Sequence, residues 1–164
     1  MRTITTQIIV LLLLLGACNK GQTPETTLQS PDQGLEIAFG LTENGMAYWA
    51  TKDGSTLLDT SALGFILQDA PPIGKNLEIT DVEREAVDKT WETVWGESRE
   101  IRNHYNEMRI ALQETGEKAR KIELVFRAYN DGIAFRYVFP QQEHLKDFVI
   151  MDEKTEFAMA GDHT

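Results

Sequence analysis

From Pro31 onward, apolar and polar residues alternate with a period of two, the spacing that lines one face of a strand; the 3.6-residue period of a helix is almost absent. Leu35, Ile37 and Phe39 alternate with Glu36 and Ala38, Met46–Thr51 predicts a second strand, and Leu63–Leu67 predicts a third. Glu43-Asn44-Gly45 and Lys52-Asp53-Gly54 punctuate these runs as turns, because Asn and Gly tolerate positive φ. Pro71-Pro72 is expected to end the third strand by removing two backbone donors. Leu77–Val87 keeps apolar residues at Leu77, Ile79, Val82 and Val87 among many charges, which predicts a long, bulged strand at a sheet edge.

The second half predicts a three-stranded meander. Glu107–Glu114 and Lys121–Tyr129 flank Thr115-Gly116-Glu117. Ile122, Leu124, Phe126 and Ala128 share one face, Asn130-Asp131-Gly132 forms a turn, and Ile133, Phe135, Tyr137 and Phe139 share one face of the return strand. Many short strands with frequent turn signals indicate an all-β antiparallel sandwich or barrel. No amphipathic helix of useful length, internal repeat or second domain is legible.

The amino terminus follows a different pattern. Arg2 is the only charge before Cys18, and Ile8–Leu15 is an eight-residue apolar run. That run is too short for a membrane-spanning helix, which needs about 20 residues, but it suits the hydrophobic region of a signal peptide. Leu15-Gly16-Ala17-Cys18 resembles a bacterial lipobox, which implies acylation at Cys18; two or more acyl chains give stable membrane anchoring. The alternative is an ordinary secretory signal with an incidental cysteine. Asn19–Ser30 lacks apolar periodicity and reads as a tether. The expected organisation is therefore 1–17 signal peptide, 18–30 tether and 31–164 sandwich domain. Asn19 after the cysteine favours the outer membrane, so the periplasm, outer membrane or cell surface is the expected location.

Composition narrows the function classes. The chain is 41% hydrophobic and 26% charged, a globular balance, and removing 17 of its 164 residues leaves 147, enough for one core. Loss of Arg2 takes the formal net charge from −10 to −11. With no basic stripe, such a chain repels phosphate backbones, which excludes nucleic acid as a partner. Cys18 is the only cysteine, which leaves no disulfide or thiolate metal site. His104, His144 and His163 show no metal-ligand spacing, and no phosphate loop or serine-nucleophile motif occurs.

Three constellations have polar or aromatic chemistry suited to carbohydrate. Trp91 and Trp95, four residues apart, would share a strand face and form a platform for sugar rings; packing in the core or in a seam is the alternative. Arg102, Asn103, Tyr105, Asn106 and Glu107 form a dense polar group that either reaches over a pocket to sugar hydroxyls or caps a turn by internal pairing. Asp162 and His163 have side chains suited to acid–base work near an active site. Arg127 and Arg136 are expected to pair with nearby acids, and Asn130-Asp131-Gly132 is turn chemistry.

Several segments occur in a telling order. They are Ser30-Pro31-Asp32, Trp91-Glu92-Thr93-Val94-Trp95-Gly96-Glu97, Arg102-Asn103-His104-Tyr105-Asn106-Glu107, the run from Phe126 to Tyr137, Asp152-Glu153 with Thr155-Glu156-Phe157, and Gly161-Asp162-His163-Thr164. Together they resemble the N-terminal domain of glycoside hydrolase family 97. The resemblance implies a β-supersandwich of the galactose mutarotase-like type. In whole members it packs on a (β/α)8 barrel with α-glucosidase or α-galactosidase activity and calcium at the active site. The implied partners are that barrel, an α-linked oligosaccharide and, through the lipid, a membrane.

This chain departs from the family pattern at Thr164, so some sandwich strands and the whole catalytic barrel are expected to lie outside it. Glycoside hydrolysis needs two carboxyl groups about 5 to 9.5 Å apart across the scissile bond. No such pair can be assigned among its 26 acidic residues. No cofactor and no turnover by this chain alone are expected. The leading expectation is a lipid-anchored N-terminal domain that supports the barrel and part of its substrate pocket; the alternatives are a free-standing carbohydrate-binding lipoprotein and an inactive fragment.

Overall fold

A computed structural model describes residues 26–95 and 99–161. The signal segment, Cys18 and the tether as far as residue 25 lie outside the described residues. Within them the fold is an all-β antiparallel sandwich whose only helical turn is Glu143–Leu145. One sheet runs β1 (Thr27–Gln29), β2 (Leu35–Thr42), β3 (Gly45–Lys52) and β4 (Ser55–Ala62) in spatial order. The facing sheet has the order β10-β9-β8-β7, built from β7 (Leu77–Glu92), β8 (Glu100–Glu114), β9 (Lys121–Ala128) and β10 (Ile133–Val138). A small third sheet of order β11-β5-β6 joins β5 (Phe65–Leu67), β6 (Ala70–Ile73) and β11 (Ile150–Glu153).

The period-two pattern builds the core. Leu35, Ile37 and Phe39 of β2 and Met46, Tyr48 and Ala50 of β3 are all buried, as are Ile122, Leu124, Phe126 and Ala128 of β9. Phe126 meets Phe39 at 6.1 Å and Tyr48 at 6.3 Å between ring centroids, which fastens one sheet to the other. Such tilted aromatic contacts favour packing beyond simple area burial. Phe65 of the third sheet closes one side against Tyr137 at 4.5 Å and Phe139 at 5.2 Å.

Turn chemistry sets the registers. Lys52 pairs with Ser55, leaving Asp53 (φ 49°) and Gly54 (φ 78°) as a two-residue connection with the two positive φ values of a type I′ turn. Gly45 opens β3 at φ 116°, and a Cβ there would lie 2.3 Å from the carbonyl oxygen of Gly74. Only glycine admits this close approach.

Four features differ from the sequence expectation. The tether does not run to Ser30: Thr27–Gln29 is strand β1, paired with β2, and Leu28 and Ser30 are buried. Ser55–Ala62, not expected to be a strand, is β4. Its buried side chains are Leu58 and Ser61, three apart, because register shifts at Tyr48/Ala50 and Ala50/Thr51 break the alternation. Pro71-Pro72 does not end a strand but lies inside β6. There it stands at a sheet edge between the paired residues Ala70 and Ile73, where missing donors break no ladder. Strand β7 is the expected bulged edge strand, with its irregularity between Ile79 and Asp81, but it continues to Glu92.

Candidate functional site

Strands β7 and β8 outrun the sheet that holds them. The last β8–β9 pair is Asn106↔Ala128, whereas β7 and β8 continue through six further pairs from Val87↔Tyr105 to Glu92↔Glu100. This arm is a two-stranded ribbon with two unlike faces. Val87, Lys89 and Trp91 with their partners Tyr105, Asn103 and Ile101 line one face; Asp88, Thr90 and Glu92 with His104, Arg102 and Glu100 line the other. On the second face Arg102 grips Asp88 through two hydrogen bonds of 2.7 Å, and Arg99 reaches Glu92 at 3.4 Å. The Arg102 guanidinium holds the Asp88 carboxyl below the usual carboxylate range.

The first face carries the aromatic and aliphatic side chains, with Lys89 and Asn103 between them. At its base Tyr105 is buried against Tyr129, ring centroids 5.2 Å apart, with the Arg127 guanidinium 4.4 Å from the Tyr105 ring centre. Arg127 also donates to Glu107 at 2.7 Å. Toward the tip this cover ends: Trp91 is 53% exposed, Trp95 89% and Val94 99%. The two tryptophans therefore do not fill the sandwich core. Trp95 lies past the end of β7, so it does not continue the strand face of Trp91 as the four-residue spacing suggested.

The polar group from Arg102 to Glu107 lies within β8, not at its end, and alternation splits it. Arg102 and Asn106 face one way; Asn103, Tyr105 and Glu107 face the other. Arg102 is taken by Asp88 and Glu107 by Arg127, while Asn106 donates to the Gln29 carbonyl at 2.8 Å. Arg84 donates to the Thr27 carbonyl at 3.3 Å, so two side chains of the opposite sheet satisfy the outer edge of β1. Asn106 and Glu107 line a polar cleft of about 400 Å³ with Gln29, Glu36 and Arg84. The expected pairing of Arg127 with an acid is present; Arg136 has no acid partner among the described residues. Asp162, His163 and Gly96–Ser98 lie outside the described residues.

An apolar cleft of about 750 Å³ opens between β4 and β10, lined by Leu57, Ile133, Phe135, Tyr137, Phe157 and Met159 among others. It exists because the sandwich is closed differently on its two sides. At β4 the segment 154–160 straps the outer edge: Glu156 donates its N–H to Ala62, Asp59 donates to Ala158, and Tyr48 donates its hydroxyl to the Glu156 carbonyl at 2.8 Å. At β10 the strand pairs with β9 alone among the described residues. Burial pushes the Tyr137 hydroxyl there up to about 12, and it bonds Thr155 at 2.9 Å. Phe157 (62% exposed) and Met159 stand at the mouth. Sequence reading missed this cleft, because only the three-dimensional closure of the sandwich creates it.

No group of three or more His, Asp or Glu side chains among the described residues is placed to hold a metal ion.

A family model described as glycosyl-hydrolase 97 N-terminal matches residues 28–164. A retaining alpha-galactosidase of Bacteroides thetaiotaomicron is 28% identical over 155 residues, which cover 94% of this chain and 22% of that protein. A probable retaining alpha-galactosidase of Streptomyces bingchenggensis is 27% identical over 105 residues, covering 64% of this chain and 16% of that protein. A glycoside hydrolase family 97 enzyme from Pseudoalteromonas sp. strain K8, solved in complex with acarbose and with panose, superposes with a TM-score of 0.79 at 28% identity; 82% of this chain matches 20% of that one. The chain thus spans about a fifth of the length of these relatives.

Proposed function

Because this chain belongs to the glycosyl-hydrolase 97 N-terminal family, we propose that it serves as the lipid-anchored N-terminal domain of an exported α-glycosidase. There it supports a (β/α)8 catalytic barrel and lends part of the wall of a pocket for an α-linked oligosaccharide. The observation that carries this reading is the apolar cleft between β4 and β10. Phe157, Met159 and a β10 edge unpaired among the described residues form a surface suited to burial against further polypeptide, and the relatives are about four times as long as this chain. The activities printed for the relatives, and the oligosaccharides bound to one of them, give the substrate class.

On this reading the pocket wall comes from the open side of the arm and its base: Trp91, Asn103 and Tyr105, with Trp95 at the tip and Asp162 and His163 from the segment after the strap. Arg102, Asn106 and Glu107 act through the internal bonds described above. Calcium, where the whole enzyme uses it, is held by residues beyond those described. Cys18 takes the lipid and positions the domain at the outer membrane or cell surface.

The test compares the product of the complete gene with residues 19–164 alone. The complete product is expected to hydrolyse p-nitrophenyl α-glucoside or α-galactoside, and the shorter chain to hydrolyse neither. Turnover by residues 19–164 would overturn the reading. A saturable calorimetric isotherm of that chain with millimolar maltooligosaccharide would instead favour a free-standing carbohydrate-binding lipoprotein. Palmitate labelling lost in Cys18→Ser checks the anchor.

A further inference from the structure

We propose that the end of the sandwich around the Glu43-Asn44 and Thr115–Lys118 turns rests on the membrane surface that holds Cys18, which points the arm away from the lipid. The inference rests on the lipid anchor proposed above and adds how the domain stands on it. Its basis is where the chain enters the fold and what each surface near that point carries.

Strand β1 fixes the direction of entry. The Gln29 carbonyl accepts from Asn106 at the base of the arm, the Thr27 carbonyl from Arg84 and the Thr26 carbonyl from Phe39. Traced backward, β1 therefore leads away from the arm and along β2 toward the Glu43-Asn44 turn. Only eight steps of chain separate Thr26 from Cys18, at most about 29 Å when fully extended. Arg84 pairs with Met108, so β1 begins six residues, about 20 Å, short of the Glu114 end of β8. An anchor on that course leaves no more than about 9 Å between the end of the sandwich and the lipid. The strap runs the opposite way. Its amides bond Gly64 from Lys154, Ala62 from Glu156 and Leu57 from Ala160, so it leads toward the arm's end and leaves the entry end open among the described residues.

The surfaces near the entry differ. The flank beside β1 carries Glu36, Glu83, Glu85 and Glu107 against Arg84 and Arg109, so anionic headgroups repel it. The entry end holds a cavity of about 790 Å³ walled partly by Ile66, Pro71 and Pro72, which are exposed, as is Leu41 on the approach to the turn. Its charges balance. Arg120 is paired with Glu114 and Lys154 with Asp152, while Lys75 and Lys118 offset Glu117 and Glu43. A neutral end with exposed apolar groups, and two lysines whose stems lie along apolar surface while their ammonium groups reach phosphate, suits a headgroup layer. The short tether, not net charge, brings it there.

Fluorescence quenching tests the proposal. The chain from Met1 to Thr164, lipidated in a bacterial host, is reconstituted into phosphatidylethanolamine–phosphatidylglycerol vesicles with a nitroxide on the lipid headgroup. Acylation consumes Cys18, the only cysteine, so Lys118→Cys, Lys75→Cys and Lys89→Cys each supply one thiol for a bimane. Quenching at 118 and at 75 is expected to be at least about threefold stronger than at 89 on the arm, because β8 alone spans about 46 Å from Glu100 to Glu114. Inserting about twenty Gly-Ser residues after Asn19 is expected to erase that difference; a difference that survives would overturn the role given to the tether. Equal quenching at all three positions, or the strongest at 89, in a product that incorporates palmitate would overturn the inference and leave the anchor standing. A wild-type product without palmitate would remove both.

Discussion

Strand β8 has two fates along its length, and the contrast shows what makes a β residue part of a core. From Met108 to Leu112 the strand has β7 on one side and β9 on the other, and Met108, Ile110 and Leu112 are at most 1% exposed. From Glu100 to Tyr105 it has β7 alone, and Ile101 is 39% exposed although its in-register partner is a tryptophan. The positions that continue the face of Met108, Ile110 and Leu112 into the arm are the polar Arg102 and His104, while Ile101 stands on the opposite face, so the core side turns polar where the third strand ends. Burial belongs to the layer, not to the strand.

The sharpest way to break that contrast is to remove one large aromatic from each region. Phe126 is fully buried and touches the rings of Phe39, Tyr48 and Phe135. Phe126→Ala is expected to cost about 4 kcal/mol through lost transfer energy and the cavity left behind. Trp91→Ala, at the arm, is expected to change stability by less than about 0.5 kcal/mol. Urea unfolding of residues 19–164 followed by far-ultraviolet circular dichroism measures both. Comparable losses would mean that the arm is part of the cooperative core.

Next in size is the most deeply buried ion pair among the described residues. Arg120 is 4% exposed, bonds Glu114 at 2.5 and 2.6 Å, and donates to the carbonyls of Pro71 at 2.9 Å and Pro72 at 3.1 Å. It thereby fastens the proline strand β6 to the end of β8. Arg120→Met leaves Glu114 buried without its cation and is expected to cost about 3 kcal/mol. Replacing both residues, as Arg120→Met with Glu114→Leu, is expected to recover most of the loss, because the penalty comes from an uncompensated charge. The same unfolding measurement decides it. The Asp88–Arg102 pair in the arm has similarly short bonds but is solvated, and Arg102→Met is expected to shift the midpoint little.

These two pairs also show what the sequence could and could not reveal. The core was legible wherever burial followed strict alternation: β2, β3, β9 and β10 were readable from Ile37, Tyr48, Phe126 and Phe135, and the family from ordered segments such as Phe126–Tyr137. β1 was not legible, because Thr27–Gln29 has one apolar residue and exists through pairing with β2 and through donors from Arg84 and Asn106. β4 was hidden by its register shifts. The Arg102–Glu107 group looked like a loop-end cluster because it is polar, yet Arg102, Tyr105, Asn106 and Glu107 each have a partner that is distant in sequence. Arg120 gave no signal at all. Its partners include two proline carbonyls 48 and 49 residues away.

A backbone test of smaller effect separates turn from core. Gly45→Ala places a Cβ against the Gly74 carbonyl at a φ of 116°, a strained region for any L side chain. A loss of about 2 kcal/mol is expected. Gly54→Ala, at φ 78° but with open space around it, is expected to cost only the conformational penalty, about 1 kcal/mol. The difference between the two melting curves isolates the close approach. Equal losses would show that φ alone decides.

The subtlest distinction is in acid. The Ser30 hydroxyl donates to Asp32 at 2.6 Å and the Gly34 amide at 3.1 Å, and the Ser30 bond foremost holds the Asp32 carboxyl below its usual range. Asp88 is held low chiefly by Arg102. A depressed folded pKa has one sign in both cases. The contribution to stability is fully present above the unfolded carboxylate value of about 3.9 and is lost as pH falls through the folded value. What differs is which structure each carboxylate holds. Asp32 organises the β1–β2 connection, whose backbone is tied to Asn130 in the β9–β10 turn and to Asp53; Asp88 joins only the two strands of the arm. Asp32→Asn is therefore expected to flatten the fall in the global unfolding midpoint between pH 5 and 3. Asp88→Asn is expected to leave that midpoint in place and to speed amide exchange of residues 101–104. If Asp88→Asn moved the global midpoint as far as Asp32→Asn, arm and sandwich would be one cooperative unit, and the two halves of β8 would differ in exposure but not in energetics.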